Sequence, residues 1–98
     1  MCGIAGVAHG GRRLLDDELT KMAQPLERRG PDGVGYFQND HVALVHRRLS
    51  IIDLGGGKQP IFNANKSLAI VCNGELYDFA VHREVLKAKG HVFKTGSD

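Results

Sequence analysis

The chain has 98 residues, which is enough for one small domain and too few for a second large one. Its apolar fraction of 42% and charged fraction of 24% are those of an ordinary globular protein. A net charge of +2 is too small to indicate a nucleic-acid partner or binding to a charged membrane surface. No apolar run approaches the roughly 18 residues of a membrane span, and the N-terminus lacks signal-peptide features, so we expect a cytoplasmic protein.

The two cysteines, Cys2 and Cys72, do not form a close-spaced pattern. This spacing favours free thiols in a reducing compartment over a disulfide scaffold. No C-x-x-C or H-x-x-x-H pair is present, so no metal site is predicted. Cys72 lies in an apolar run at residues 68–72, which predicts a strand buried on both faces and an inert core cysteine.

Cys2 becomes the N-terminal residue if Met1 is removed. Its α-amino group then titrates near ~8, so that at neutral pH one residue carries both a nucleophilic thiol and a proton acceptor. The alternative is a small apolar residue that begins a buried strand, the commoner environment of a free cysteine. Position alone leaves both interpretations open.

Apolar residues at helical spacing predict two helices. Residues 16–28 carry acidic side chains at the N-terminal end, where the helix dipole favours them, and Pro25 strains the last turn. Residues 79–89 form a second stripe, with Asp78 as the expected N-cap and Gly90 after the last turn.

Short apolar or alternating runs predict the strands. These are residues 2–8, 34–39, 41–46, 61–62, 67–72 and 91–95, with 47–53 as a further extended segment. Asn39 and Asp40 suggest a hairpin between the second and third runs. The glycines at 55–57 beside Lys58 lack the P-loop spacing, which argues against a nucleotide site.

Asn73, Gly74 and Glu75 follow a predicted strand directly, which is typical of a binding site and equally of an ordinary turn. The cluster at residues 28–33 is interpreted as a structural loop. His41, His46 and the other histidines are interpreted as surface or core residues without a catalytic role. The chain ends in a loop after a predicted strand, which suggests an unfinished domain.

Five ordered blocks, at residues 2–7, 29–33, 46–53, 73–77 and 96–98, together resemble the class II glutamine amidotransferases. They are most similar to the glutaminase domain of the asparagine synthetase (glutamine-hydrolysing) family, ligases of asparagine biosynthesis. The resemblance implies an α+β fold: the N-terminal-nucleophile α/β/β/α sandwich of stacked antiparallel sheets. Residues 1–98 would form only the N-terminal half of that domain. The synthetase domain, with its ATP and magnesium, would be absent, and no cofactor is expected in this segment.

The resemblance also implies roles for individual residues. Cys2 would attack the side-chain amide of glutamine and form a γ-glutamyl thioester, releasing ammonia. The Asn73 side chain and the Gly74 N–H would form the oxyanion hole. The remaining residues implied in glutamine binding are Arg48, Leu49, Ser50, Ile51, Ile52, Glu75 and Asp98. Arg48 would pair with the α-carboxylate, the segment after it would line the pocket, and Glu75 and Asp98 would hold the α-amino group.

Glutamine is thus the expected substrate, and the missing synthetase domain or chain is the expected partner, its acceptor being an aspartate-like carboxylate. Two alternatives stay open. The chain could be a non-catalytic remnant that self-associates as a homo-oligomer or binds another chain, because an incomplete sheet leaves unpaired edges. It could also belong to a relative that amidates a different carboxylate. Leu76 and Asp78, where better-known members tend to have Ile and Asn, mildly favour a divergent member.

Overall fold

The computed structural model describes residues 1–50 and 56–96. The described residues form an α+β arrangement with antiparallel sheets, which confirms the predicted class. In chain order the elements are β1 (Gly3–Ala8), α1 (Asp16–Ala23), a 3-10 helix (Gln24–Leu26), β2 (Gly33–Gln38), β3 (Val42–Arg48), β4 (Ile61–Phe62), β5 (Ala69–Ile70) and α2 (Phe79–Ala88).

β3 is the central strand of a three-stranded sheet in the order β1-β3-β2, and it is antiparallel to both neighbours. The predicted hairpin between β2 and β3 is confirmed. Its turn is stabilised by the Asn39 side chain, whose Oδ1 accepts hydrogen bonds from the backbone N–H groups of His41 at 2.8 Å and Val42 at 2.7 Å. An asparagine side chain that satisfies the turn backbone in this way favours chain reversal at that position.

Alternate residues of β3 face opposite sides of the sheet. Ala43 and Val45 are fully buried on the side where Leu19 and Ala23 of α1 pack, and these four residues form the core. His46 and Arg48 follow with the opposite parity and are 1% and 8% exposed. The sheet therefore has an apolar face under α1 and a second face that carries buried polar side chains.

α1 is shorter than the predicted helix at residues 16–28. The α-helix ends at Ala23, and Gln24–Leu26 continue as a 3-10 helix that contains Pro25. Proline lacks the N–H that an α-helical turn requires, so the tighter turn replaces the last α-helical one.

At the N-terminal end of α1 the Glu18 carboxylate accepts hydrogen bonds from Arg12 at 3.1 Å and from the Leu15 N–H at 3.0 Å, and together these lower the pKa of Glu18 to about 2.

The prediction of a strand at residues 67–72 that is buried on both faces is wrong in both its length and its burial. Only Ala69–Ile70 form a strand, and it pairs with β4 alone among the described residues. Leu68 and Ile70 are 69% and 58% exposed, and Cys72 is exposed rather than an inert core residue. An apolar sequence specifies a tendency to be buried, but burial also needs a covering layer, and the described residues provide none here.

α2 agrees with the prediction to within one residue, and Gly90 follows its end with a φ of 92°. Asp78 occupies the N-cap position, as predicted, but its backbone is left-handed and its side chain makes no capping hydrogen bond. Left-handed backbone at this position replaces the extended conformation that directs an N-cap side chain toward the first turn.

Residues 91–95 form no strand, which corrects another prediction. The Arg83 guanidinium lies 5.8 Å from the centre of the Phe79 ring and 4.9 Å from that of Phe93, and Arg83 donates a hydrogen bond to the Thr95 carbonyl. Attraction between the cation and the two rings therefore fixes this segment against α2.

Across the part of the chain that is described, no helix is long and apolar enough to cross a membrane.

We predict that Gly30→Ala destabilises the protein by about 1–3 kcal/mol, because a Cβ atom there would overlap the backbone of Arg47 in β3. Gly33→Ala is the matched control, since a Cβ at Gly33 meets no atom within 4 Å and the change is expected to stay within about 0.5 kcal/mol. Urea unfolding followed by circular dichroism measures both. Equal midpoints for the two variants would contradict the packing of Gly30 against β3.

Candidate active site

Cys2 lies just before β1, next to the point where β3 ends. The pairing of Gly3 with Arg47 brings residue 2 alongside the C-terminal end of β3. The Leu49 N–H donates a hydrogen bond to the Cys2 Sγ at 3.2 Å, and the thiol lies 3.7 Å from the Leu49 carbonyl oxygen. The half-buried sulfur is thus held directly beside the segment that carries Arg48 and Ser50.

The loop at residues 28–33 makes hydrogen bonds both to Cys2 and to the residues at the end of β3. Arg29 donates from its Nε to the Cys2 carbonyl at 3.2 Å. Asp32 donates its N–H to the Arg48 carbonyl at 2.9 Å, and its Oδ2 accepts a hydrogen bond from the Ser50 N–H at 2.8 Å. The loop therefore supports Cys2 and the strand end at once, which agrees with its interpretation as a structural element.

A cavity of about 410 Å³ lies against the face of the sheet that carries His46 and Arg48. Arg48 and Ser50, both predicted to bind glutamine, line it together with Asp32 and Lys58. Its volume falls within the ~300–1,000 Å³ range of small-molecule sites. Arg48 is almost fully buried and lines the cavity, and a planar guanidinium is a group that can bind a carboxylate through two parallel hydrogen bonds.

His46 is a buried polar residue of this cavity that the sequence interpretation did not single out. Its side chain hydrogen-bonds to the backbone of Cys72, while its buried Nε2 has no hydrogen-bond partner among the residues of 1–50 and 56–96. Burial lowers the pKa of His46, the bond to Cys72 opposes that shift, and repulsion from Arg48 adds to it. The imidazole is therefore neutral at pH 7. The sequence contains a signal for this position, because side chains alternate between the two faces of a strand. His46 and Arg48, two residues apart, therefore lie on one face of β3.

The predicted oxyanion residues belong to a different segment. The Cys72 N–H donates to the Gln59 Oε1 at 2.6 Å, and Asn73 follows, half-buried, with Gly74 and Glu75 exposed. Among the residues that the structure describes, no hydrogen bond links Cys2 to Asn73, Gly74 or Glu75.

The structure therefore brings together Cys2, Arg48, Leu49 and Ser50. Within the described ranges, His46 and Gln59 connect residues 73–75 to the sheet through their bonds to the Cys72 backbone. The predictions for Ile51, Ile52 and Asp98 lie outside the described residues. Within the described ranges, no three His, Cys, Asp or Glu side chains are grouped so that they could hold a metal ion.

Comparison with known proteins adds a second kind of observation. The whole chain, residues 1–98, matches a family model described as a glutamine amidotransferase domain. It is 43% identical over 102 residues to asparagine synthetase (glutamine-hydrolyzing) 1 of Bacillus subtilis (strain 168). It is 43% identical over 105 residues to asparagine synthetase (glutamine-hydrolyzing) of Brassica oleracea, and 41% identical over 105 residues to asparagine synthetase (glutamine-hydrolyzing) 1 of Arabidopsis thaliana.

These alignments cover 100% of the chain and 16% to 17% of the relatives. The chain therefore spans about a sixth of the length of the curated relatives that it matches.

The buried imidazole predicts a pH dependence of stability. Since the pKa of His46 is lowered from 6.5 in the folded state, the unfolded chain binds the proton more readily. Above pH 6.5, His46 makes its full contribution to the free energy of unfolding. This contribution decreases as the pH falls from 6.5 toward the folded-state pKa. Urea midpoints should therefore decrease between about pH 7.5 and about pH 5.5.

His46→Gln should flatten this dependence, whereas His82→Gln, which changes an exposed histidine of α2, should preserve it. An unchanged pH profile in His46→Gln would show that another group is responsible.

Proposed function

Because the chain belongs to the glutamine amidotransferase domain family, we propose that it hydrolyses the side-chain amide of glutamine through Cys2. The observation that carries the proposal is the position of the Cys2 thiol. It is half-buried and receives a hydrogen bond from the Leu49 N–H at 3.2 Å, next to Arg48, which lines the cavity. The proposed nucleophile and the proposed carboxylate ligand thus lie at the same end of the sheet.

Removal of Met1, which is 70% exposed, is the first requirement of this mechanism. The free α-amino group of Cys2 then accepts the thiol proton, and the sulfur attacks the amide carbon of glutamine. The same proton passes to the leaving nitrogen, so that ammonia departs and a γ-glutamyl thioester remains. Water hydrolyses the thioester to glutamate and restores the thiol.

Two further groups complete the proposal. Arg48 pairs with the α-carboxylate of glutamine, because a guanidinium binds a carboxylate through two parallel hydrogen bonds. The Asn73 side chain and the Gly74 N–H donate to the oxyanion, where the loss of one donor typically costs ~3–4 kcal/mol of transition-state stabilisation. Glu75 and Asp98 are proposed to hold the α-amino group, and Leu49, Ser50, Ile51 and Ile52 are proposed to line the pocket.

The relatives supply the proposal for the fate of the ammonia. Since they are glutamine-hydrolysing asparagine synthetases, we propose that the ammonia amidates an aspartate-like carboxylate in an ATP- and magnesium-dependent domain outside these 98 residues. The alternative proposal is that the chain belongs to a relative that amidates a different carboxylate, since the proposed acceptor site would lie outside these 98 residues.

A second candidate function is a non-catalytic piece that associates with a further chain or with itself. The exposed apolar residues of the C-terminal half favour it. They include Leu68, Ile70, Val81 and Val85, each more than half exposed. Where such side chains form one large contiguous patch, association with another chain is a common explanation.

Covalent labelling distinguishes the two candidates. Diazo-oxo-norleucine, an electrophilic glutamine mimic, should give a single adduct on Cys2 after loss of Met1, and glutamine-dependent ammonia release should vanish in Cys2→Ala. Cys72→Ala is the control, since Cys72 is an exposed thiol without a role in the mechanism, and it should keep both signals. Retained Met1, or a processed Cys2 that stays unlabelled, would favour the non-catalytic candidate.

Arg48→Lys should raise KM for glutamine by about tenfold or more, because lysine keeps the charge and loses the bidentate geometry. Arg47→Lys is the matched control on the opposite face of β3, where Arg47 lies 3.6 Å from Glu27. It should leave KM nearly unchanged. Steady-state kinetics of glutamate production measure both, and equal KM values in the two variants would exclude Arg48 as the carboxylate ligand.

A further inference from the structure

Cys72 is the residue directly before the proposed oxyanion donors, and no strand in the described part of the chain pairs with its backbone. β5 ends at Ile70, so Cys72 lies beyond the ladder with β4. Two side chains bond to the Cys72 backbone instead: the Gln59 Oε1 accepts from its N–H at 2.6 Å, and His46 bonds to it as well.

The same two side chains are attached to the central sheet. His46 is a residue of β3, two positions before Arg48, and it pairs with Gly35 of β2. A Cβ atom at Gly35 would overlap the Gln59 carbonyl oxygen, so the missing side chain at Gly35 is what allows Gln59 to approach. Gly35, His46 and Gln59 therefore form one packed unit on the face of the sheet that carries Arg48.

We infer that His46 and Gln59 are positioning residues that hold the backbone of Cys72 and thereby set where Asn73 and Gly74 lie relative to Arg48. This inference rests on the proposed function and deepens it. Arg48 and His46 are alternate residues of one strand, about 6.6 Å apart along it. The strand that binds the substrate carboxylate thus also locates the segment that stabilises the oxyanion.

This geometry separates two kinetic effects. Asn73 and Gly74 would donate to charge that develops only in the transition state, so their displacement lowers kcat and leaves KM nearly unchanged. Loss of a residue that binds glutamine directly would instead raise KM. A residue with only a general structural role would lower the yield of folded protein and would change neither constant of the folded fraction.

Gln59→Leu is the principal test, because Gln59 is half-buried and its replacement is less disruptive than that of the buried His46. The variant should lower kcat at least about tenfold with KM nearly unchanged. Gln59→Glu, which retains an acceptor for the Cys72 N–H, should recover most of the loss. An unchanged kcat, or a raised KM alone, would overturn the inference.

The control is Gln38→Leu. Gln38 likewise bonds to backbone, accepting from the Leu14 N–H and donating to the Leu14 carbonyl at 3.0 Å, but it lies at the opposite end of β2 from the cavity. Its replacement should not change kcat.

Amide NMR spectra separate failure of this inference from failure of the proposed function. In Gln59→Leu the Asn73 and Gly74 amide signals should shift and the Cys72 amide should exchange faster with solvent, whereas Gln38→Leu should leave all three unchanged. These readouts need no activity, so they hold even in a chain that releases no ammonia. Unaltered signals in Gln59→Leu would overturn the inference.

Discussion

β3 is hydrogen-bonded along both of its edges, and this pairing determines where the core and the cavity lie. With β1 on one side and β2 on the other, the strand cannot slip by one residue without moving its whole set of side chains to the other face. Ala43 and Val45 would then leave the core beneath α1, and His46 and Arg48 would enter it. The register therefore fixes at once the apolar core, the face of the cavity, and the position of Cys2 beside Leu49.

The predictions from sequence were most accurate for features that are determined by residues close together in the chain. The hairpin follows from alternation around Asn39, and α1 and α2 follow from helical periodicity, since each of these patterns is contained in a few neighbouring residues. Cys2 and Arg48 were singled out as site candidates, and the structure places them at the same end of the sheet. Their catalytic roles remain proposals.

The predictions that failed depended on contacts between distant residues. An apolar run at 68–72 carries no information about what covers it, and the described residues leave Leu68 and Ile70 exposed. His46 and Gln59 were missed for the same reason, because the feature that unites them is the backbone of Cys72, 26 and 13 positions away in the chain. No local pattern marks a side chain that bonds to a distant peptide group.

The two hydrogen bonds that hold residue 2 have a thermodynamic consequence. The ends of a chain are ordinarily the most disordered part of a domain, and the proposed nucleophile at such an end would otherwise have to be immobilised in every catalytic cycle. Here Leu49 holds the Cys2 sulfur and Arg29 holds its carbonyl oxygen. The conformational entropy of the terminus is thus lost once, when the protein folds, and the thiol already has the fixed position that the proposed reaction requires.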